Sequence, residues 1–392
     1  MDFALTEEQQ MLKDLCANFV RDNVLPLEAT VLRREAEGGG MAVSPEERAV
    51  LDAKARELGL YALDGPEEYG GSDLDAVTMI GVWEEMSKTC VDYYFPPDSP
   101  NLRMMLQTCN AAQRQKYLEP YARSEAISAM AISEPGGGGD PAAMRTRAVL
   151  DGDEWVINGR KIWIGKAGYA DFTILMASTD PEKGARGGIS AFLVDKGTPG
   201  FNVQRRIPMI GGRYTYEIAI EDLRLPRDAL LGELGNGFGP MQLRLSVRRV
   251  QMAAWCAGKT RRALDMMKEW VKQRKTFGDL LSNRQSIQWW IADAETKLHA
   301  LRLMMYNTAA KIDAGQQART ECSMIKLMGT ELAWDTIDKA MQAFGAMGMT
   351  KELPLQMMAN HVRLMRVYEG PSEVHRMLIA RHALQDRIPG LT

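Results

Sequence analysis

Leu12, Leu15, Cys16 and Phe19 recur at helical spacing until Pro26 interrupts them, and further helical stretches follow around residues 44–60 and 74–88. Roughly the first 125 residues therefore read as mostly helix. The texture then changes. Asp151-Gly152 and Asn158-Gly159 are turn dipeptides that bracket the short apolar run Trp155, Val156 and Ile157, with Ile162, Trp163 and Ile164 beyond, which predicts a hairpin or meander. Three more β-like runs follow, Phe172 to Ala177, Ile189 to Val194 and Tyr216 to Ile220. The Gly-, Asp- and Pro-rich segments between them leave no room for crossover helices, so the middle of the chain is predicted to be antiparallel β. From Met241 the helical period returns. Ile287, Trp290, Ile291, Ala294, Leu298, Leu301 and Met305 form one stripe, and Trp334, Ile337, Met341 and Phe344 another. Long helices with short joints predict a bundle.

The reading is thus an α+β chain of three parts: an N-terminal helical domain (1–125), a middle antiparallel β-domain (126–236) and a C-terminal helical bundle (237–392). Its 392 residues can bury a core without disulfides. Lys plus Arg number 48 against 51 Asp plus Glu, a net charge of −3, so the chain lacks the electrostatic footprint of a nucleic-acid binder. The longest charge-free stretch, Ala340 to Thr350, has 11 residues, well short of the roughly 18 a membrane-spanning helix needs. The N-terminus, MDFALTEEQQ, carries acids where a secretory signal has a basic region and an apolar core. Five scattered cysteines, none in a C-x-x-C arrangement, disfavour both a disulfide framework and a zinc site. A cytoplasmic location is expected.

Candidate chemistry is sparse when each motif is taken alone. Ser133-Glu134-Pro135 leads into four glycines, Gly136 to Gly139, a run that lets backbone approach a ligand but equally marks a plain loop. No parallel strand precedes it, so it is not a dinucleotide fingerprint. The four histidines have no metal-ligand spacing, and no metal is expected. Glu369, between two helical stretches and before Gly370 and Pro371, reads either as a catalytic acid or as a loop acid favoured by the following helix N-terminus.

The order of the segments carries more. Glu68-Tyr69-Gly70-Gly71, Ser133-Glu134-Pro135-Gly136, the run Ile157 to Ile164 (INGRKIWI), Pro199-Gly200, Arg274-Lys275-Thr276-Phe277-Gly278, Gln342-Ala343-Phe344-Gly345 and Tyr368-Glu369-Gly370 occur in one sequence. In that order, spanning nearly the whole chain, they resemble the acyl-CoA dehydrogenase family. The resemblance implies FAD, an acyl-CoA substrate, electron-transfer flavoprotein as acceptor and a homotetramer. It implies that Glu369 takes the α proton of the thioester while the β hydrogen leaves as hydride, giving a trans-2-enoyl-CoA. By the same resemblance Met130, Ile132, Ser133 and Trp163 line the flavin. Arg274, Thr276 and Phe277 reach its diphosphate and adenosine across a subunit interface, and Gln342 and Gly345 belong to the facing helix segment. Arg249 lies near the CoA moiety.

Some relatives carry the base on the first bundle helix instead, where this chain has Arg248, which cannot serve at neutral pH. Three departures affect tuning. Gly165 stands where the family commonly has a hydroxyl near flavin N5, Pro371 and Glu373 replace residues that contact adenosine, and Gly139 replaces a serine that touches substrate. Gly165 motivates the alternative of an oxidase or monooxygenase-like relative reacting with oxygen. A second reading of Gly165 is a backbone position that requires positive φ.

Overall fold

Thr6 opens the first helix with a capping box: its hydroxyl accepts from Gln9 N at 3.2 Å, and Gln9 Oε1 accepts from Thr6 N at 3.0 Å. The structure is a computed structural model in which residues 5–388 are described, the side chain of Ala142 excepted. Helices α1 (Glu7–Phe19), α2 (Glu28–Ala36), α3 (Pro45–Glu57), α4 (Ala76–Met86) and α5 (Ser99–Thr108) come first. The short α6 (Ala111–Gln113) and α7 (Glu119–Ala122) complete the helical front. Pro26 falls where α1 gives way to irregular turns before α2.

Eight strands follow: β1 (Ser128–Ala131), β2 (Arg147–Asp151), β3 (Glu154–Ile164), β4 (Phe172–Ser178), β5 (Ile189–Asp195), β6 (Phe201–Pro208), β7 (Tyr214–Pro226) and β8 (Leu230–Leu231). Their order in the sheet is β6-β7-β3-β2-β4-β5-β8, with β1 beside β4. Most pairs are antiparallel, but β1 runs parallel to β4 with Ser128 opposite Phe172, and β2 meets β4 in parallel at Arg147 and Ser178. A parallel strand therefore does precede the glycine run, contrary to the expectation, although among the described residues no α-helix follows it at the spacing of a dinucleotide fingerprint. The long stretch of chain between β1 and β4 frees their relative direction, which a hairpin would fix. Strands β4 and β5 are buried on both faces. Phe172, Ile174 and Met176 pack with Leu102, Tyr121 and Met241 on one side, and Leu175, Ala177 and Phe192 with Trp155 on the other. Met130 and Ile132 lean on the first of these clusters, which also includes the start of the next helix.

The two dipeptides expected to be turns part company. Gly152 (φ +62°) makes the β2–β3 turn, whereas Asn158-Gly159 lies inside β3 at an irregularity of its pairing with β7. A Cβ on Gly159 would meet Thr146 Oγ1 at 2.4 Å, so the glycine is there for close approach of β2 and not for chain reversal.

The C-terminal part holds α8 (Phe238–Val271), the small hairpin β9 (Lys275–Thr276) and β10 (Asp279–Leu280), then α9 (Gln285–Asp313), α10 (Arg319–Phe344), α11 (Leu355–Met365) and α12 (Ser372–Ala383). The α9 stripe predicted from the sequence faces the core, with Ile287, Ala294, Leu298, Leu301 and Met305 buried. One apolar cluster joins this bundle to α1–α4. The five cysteines are free and buried.

Candidate active site

The backbone between α11 and α12 reverses sharply at Glu369 (φ +57°) and Gly370 (φ +94°) before Pro371 caps α12. A non-glycine residue in that conformation costs on the order of 1–3 kcal/mol and persists where its surroundings hold it. Three elements do so. Lys326 Nζ of α10 donates to Gly370 O at 2.7 Å, Arg249 Nε of α8 donates to Glu369 O at 3.3 Å, and Ser372 N reaches back to Arg366 O at 3.1 Å. His375, one turn into α12, is buried beside Gly370. Burial, with Arg249 and Lys326 adding to it, pushes its pKa down to about 3, so the ring is neutral at physiological pH.

The Glu369 carboxylate faces the first turns of α8. Arg244 Nη1 donates to both of its oxygens at 3.1 Å, and Arg248 Nε stands 3.9 Å away. Asn101 orients Arg244 by accepting from its Nε at 2.7 Å, and itself donates to Ser128 Oγ at 2.8 Å. Arg248 is engaged elsewhere: its Nη2 holds both oxygens of Asp98 at 2.6 and 2.7 Å. Burial alone would raise the Asp98 pKa, but Arg248, with Lys166 and Arg244 behind it, outweighs that and holds the carboxyl well below its ordinary value. Arg244, Arg248, Asp98 and Asn101 were not among the residues singled out as a site. The available signal was the spacing of Arg244 and Arg248, four apart and hence on one face of α8.

On the sheet side, Lys161 of β3 is fully buried and donates to Glu134 Oε1 at 2.8 Å and Ile132 O at 2.9 Å. Glu134 also accepts from the backbone of Arg145 and Thr146, at 2.6 and 2.9 Å. This pair pins the segment carrying Ile132 and Ser133, and Ile162 N donates to Ser133 O at 3.0 Å. Two residues past Lys161, Trp163 sits at φ +62° with about half its surface exposed (53%), a ring left open for a planar ligand. Gly165 is exposed, its φ lies outside the left-handed region, and a Cβ there would have nothing within 4 Å. The positive-φ reading of Gly165 is therefore overturned. Gly139 (φ +78°) brings the glycine run against α12: a Cβ on it would stand 3.5 Å from Val374 Cγ2 and 3.8 Å from Pro371. Glu373 is exposed in the first turn of α12.

Not all the expected residues gather there. Arg274, Thr276 and Phe277 lie on the β9–β10 hairpin beyond the far end of α8. From Arg249 to Val271 that helix rises roughly 33 Å. Gln342 and Gly345, at the end of α10, share this far end, because Trp270 stacks on Phe344 at 4.8 Å and donates to Ala343 O at 3.0 Å. Phe277 is fully exposed at φ +50° on the hairpin turn, and the exposed Arg274 makes no ion pair among the described residues. An open indole beside a pinned loop fits an isoalloxazine ring, and a free guanidinium on an exposed hairpin fits a diphosphate, so the residues present suit FAD.

Comparison with known proteins agrees with this arrangement. The acyl-CoA dehydrogenase N-terminal, middle and C-terminal domain models match residues 6–125, 129–223 and 235–384. The (R)-benzylsuccinyl-CoA dehydrogenase of Thauera aromatica is 39% identical, with 98% of each chain covered. The 3-(aryl)acrylate reductase of Clostridium sporogenes is 33% identical over 97% of this chain and 99% of its own. The structure of butyryl-CoA dehydrogenase from Megasphaera elsdenii, 30% identical, superposes with a TM-score of 0.85 over 98% of this chain and all of its own. The chain belongs to the acyl-CoA dehydrogenase family and is an FAD-dependent oxidoreductase. Among the described residues, no helix is long and apolar enough to cross a membrane.

Proposed function

We propose that this protein removes the α and β hydrogens of an acyl-CoA thioester, with Glu369 as the base, yielding a trans-2-enoyl-CoA and passing the electrons to an electron-transfer flavoprotein. The supporting observation is the Glu369 carboxylate itself, held at a strained loop by three neighbouring elements and hydrogen-bonded to Arg244 on the first turns of α8. Bound FAD supplies the hydride acceptor. Breaking the α C–H bond sends its proton to a Glu369 oxygen and leaves its electron pair to form the C=C bond. The β C–H bond breaks in the same overall step, carrying away one hydrogen and two electrons. An α proton beside a thioester is a weak acid, so negative charge on the carbonyl oxygen must be met by a donor. The N–H of Glu369 makes no hydrogen bond among the described residues, which supports it for that role.

The 3-(aryl)acrylate reductase among the relatives is named for the opposite direction, which the same groups serve by microscopic reversibility. The named substrates of other relatives differ in charge: a benzylsuccinyl thioester has a free carboxylate, and a butyryl thioester has none. A second reading, oxygen as acceptor, draws on the bare, exposed Gly165. Glu369 weighs against its monooxygenase form, because a monooxygenase has no need of an α-proton base, whereas an acyl-CoA oxidase shares that base and differs only in the acceptor. The far-end position of Arg274 supports a homotetramer in which the hairpin serves a neighbour's cofactor.

Glu369→Gln tests the base. The amide cannot accept the proton, so flavin bleaching by the best acyl-CoA should slow by roughly 10² to 10⁴ while FAD stays bound. Bleaching near the wild-type rate would overturn the role of Glu369, and a wild-type flavin that no acyl-CoA bleaches would overturn the reaction.

A further inference from the structure

The charges around Glu369 do not balance once it does its work. Arg244 and Arg248 face Asp98 and Glu369, with Lys166 Nζ 3.7 Å from Asp98 and the buried Arg249 beside the Glu369 carbonyl. Asp98 is committed to Arg248. When Glu369 takes a proton its charge disappears, and Arg244, almost wholly buried, is left without a counter-ion. A buried cation stripped of its partner is strongly unfavourable, which a neutral acyl chain would do nothing to relieve.

The two ion pairs differ in quality. Arg248 holds Asp98 at 2.6 and 2.7 Å, as charge-assisted bonds do. Arg244 reaches Glu369 through Nη1 alone, shared between two oxygens at 3.1 Å, while its Nη2 makes no hydrogen bond among the described residues. Asn101 keeps the guanidinium in place from behind. The loose pair is therefore the one at the reacting carboxylate, and a donor is left over.

We propose that Arg244 binds a carboxylate on the acyl group, making the substrate a short dicarboxylic acid esterified to CoA at one end. The inference rests on Glu369 acting as the base. Glu369, which touches both the α hydrogen and Arg244, sets the scale: three contacts of about 3 Å in line, α carbon to Glu369, Glu369 to Arg244 and Arg244 to the substrate anion, place that carboxylate within roughly 9 Å of the α carbon. A succinyl skeleton, with the carboxylate on the β carbon, meets that limit, and a long ω-carboxylate overshoots it. The substrate anion takes over Arg244 as Glu369 becomes neutral, so that the cation keeps a partner throughout proton transfer. Neutral acyl chains lack this and are discriminated against by the same arginine.

The test uses the FAD-loaded enzyme with the 2-methyl- and 2-benzylsuccinyl-CoA monothioesters, the methyl esters of both, and butyryl-CoA. Each free acid should bleach the flavin with a kcat/KM about tenfold or more above its ester and above butyryl-CoA, the scale of a hydrogen bond to a charged group. Arg244→Gln should bring that ratio close to one, and Arg244→Lys should keep most of it. In the Glu369→Gln protein, where Arg244 has lost its internal anion, the acid should bind more tightly than its ester by a similar factor, read from the perturbation of the flavin spectrum. An ester or butyryl-CoA that performs as well as the acids, or a preference that survives Arg244→Gln, overturns the proposal while leaving the dehydrogenase reading intact. If neither acids, esters nor butyryl-CoA bleach the flavin, this inference falls, and the dehydrogenase reading falls with it only when no other acyl-CoA bleaches the flavin either.

Discussion

Arg248 grips Asp98 across 150 residues of sequence with Nη2 at 2.6 and 2.7 Å from its two oxygens, and the same guanidinium lies 5.5 Å above the ring of Trp255. The pair fastens the loop before α5 to α8, and with it Asn101, which orients Arg244. Arg248 thus occupies a position at which some relatives carry their base, and here it has become part of the scaffold behind Glu369.

Asp98→Asn should lower stability by about 2 kcal/mol at pH 7, between the values for a surface pair and a fully buried one. The folded-state pKa of Asp98 is depressed, so its contribution is complete above the ordinary carboxylate value of 3.8 and is lost as pH falls below it toward the folded value. Urea unfolding of both proteins should show a wide gap at pH 7 and 5 that narrows below pH 3.8. A gap independent of pH would show that the charge of Asp98 contributes nothing.

Gly370→Ala should damage the loop in two ways. The φ of +94° costs an alanine roughly 1–2 kcal/mol, and its Cβ would stand 3.1 Å from the buried His375 Nε2. A melting temperature lower by a few degrees is expected, together with a turnover loss on the order of 10²-fold from displacement of Glu369, with FAD content unchanged. Wild-type turnover in this variant would mean that Glu369 keeps its place without the glycine.

The helical front, the β middle and the bundle were legible because their apolar residues follow periods of 3.6 and 2 over long runs. Strand β6 was not, since nearly all of Phe201–Pro208 is exposed at the sheet edge and its alternation of Phe201, Val203 and Ile207 is broken at Arg205. Asn158-Gly159 has the chemistry of a turn, and only the approach of Thr146 shows why it sits within a strand. Glu369 by itself was an ambiguous loop acid, and the ordered motifs of the family raised it to the candidate base. Arg244 escaped because its partners, Asn101 and Glu369, lie 143 and 125 residues away, a relation that local spacing does not encode.

Arg274→Gln should weaken FAD retention without disturbing the isolated fold, because the side chain is exposed and makes no ion pair among the described residues. Loss of a hydrogen bond from a charged donor corresponds to roughly 10- to 150-fold in affinity. FAD titration by fluorescence, with light scattering on the same samples, checks both the affinity and the assembly. Unchanged FAD affinity, or a wild-type monomer saturated with FAD, would refute a hairpin that serves a neighbouring subunit.

Gly165→Thr separates the dehydrogenase from the oxygen-using alternative. Since Gly165 lies outside the left-handed region and a Cβ there meets nothing within 4 Å, threonine enters without backbone strain, and FAD content should not change. By resemblance its hydroxyl would stand near flavin N5. A net hydrogen bond of about 0.5–1.5 kcal/mol corresponds to roughly a 2- to 12-fold change in rate. The rate at which oxygen reoxidises the reduced flavin, measured by stopped flow, should shift within that range while the requirement for Glu369 stays intact. A reoxidation rate identical to wild type would show that the missing hydroxyl tunes nothing, and would remove the structural support for an oxidase. A loss of FAD would instead place a contact above Gly165 that a neighbouring subunit or the cofactor itself supplies, since the open space around Gly165 within this chain leaves no internal source of strain.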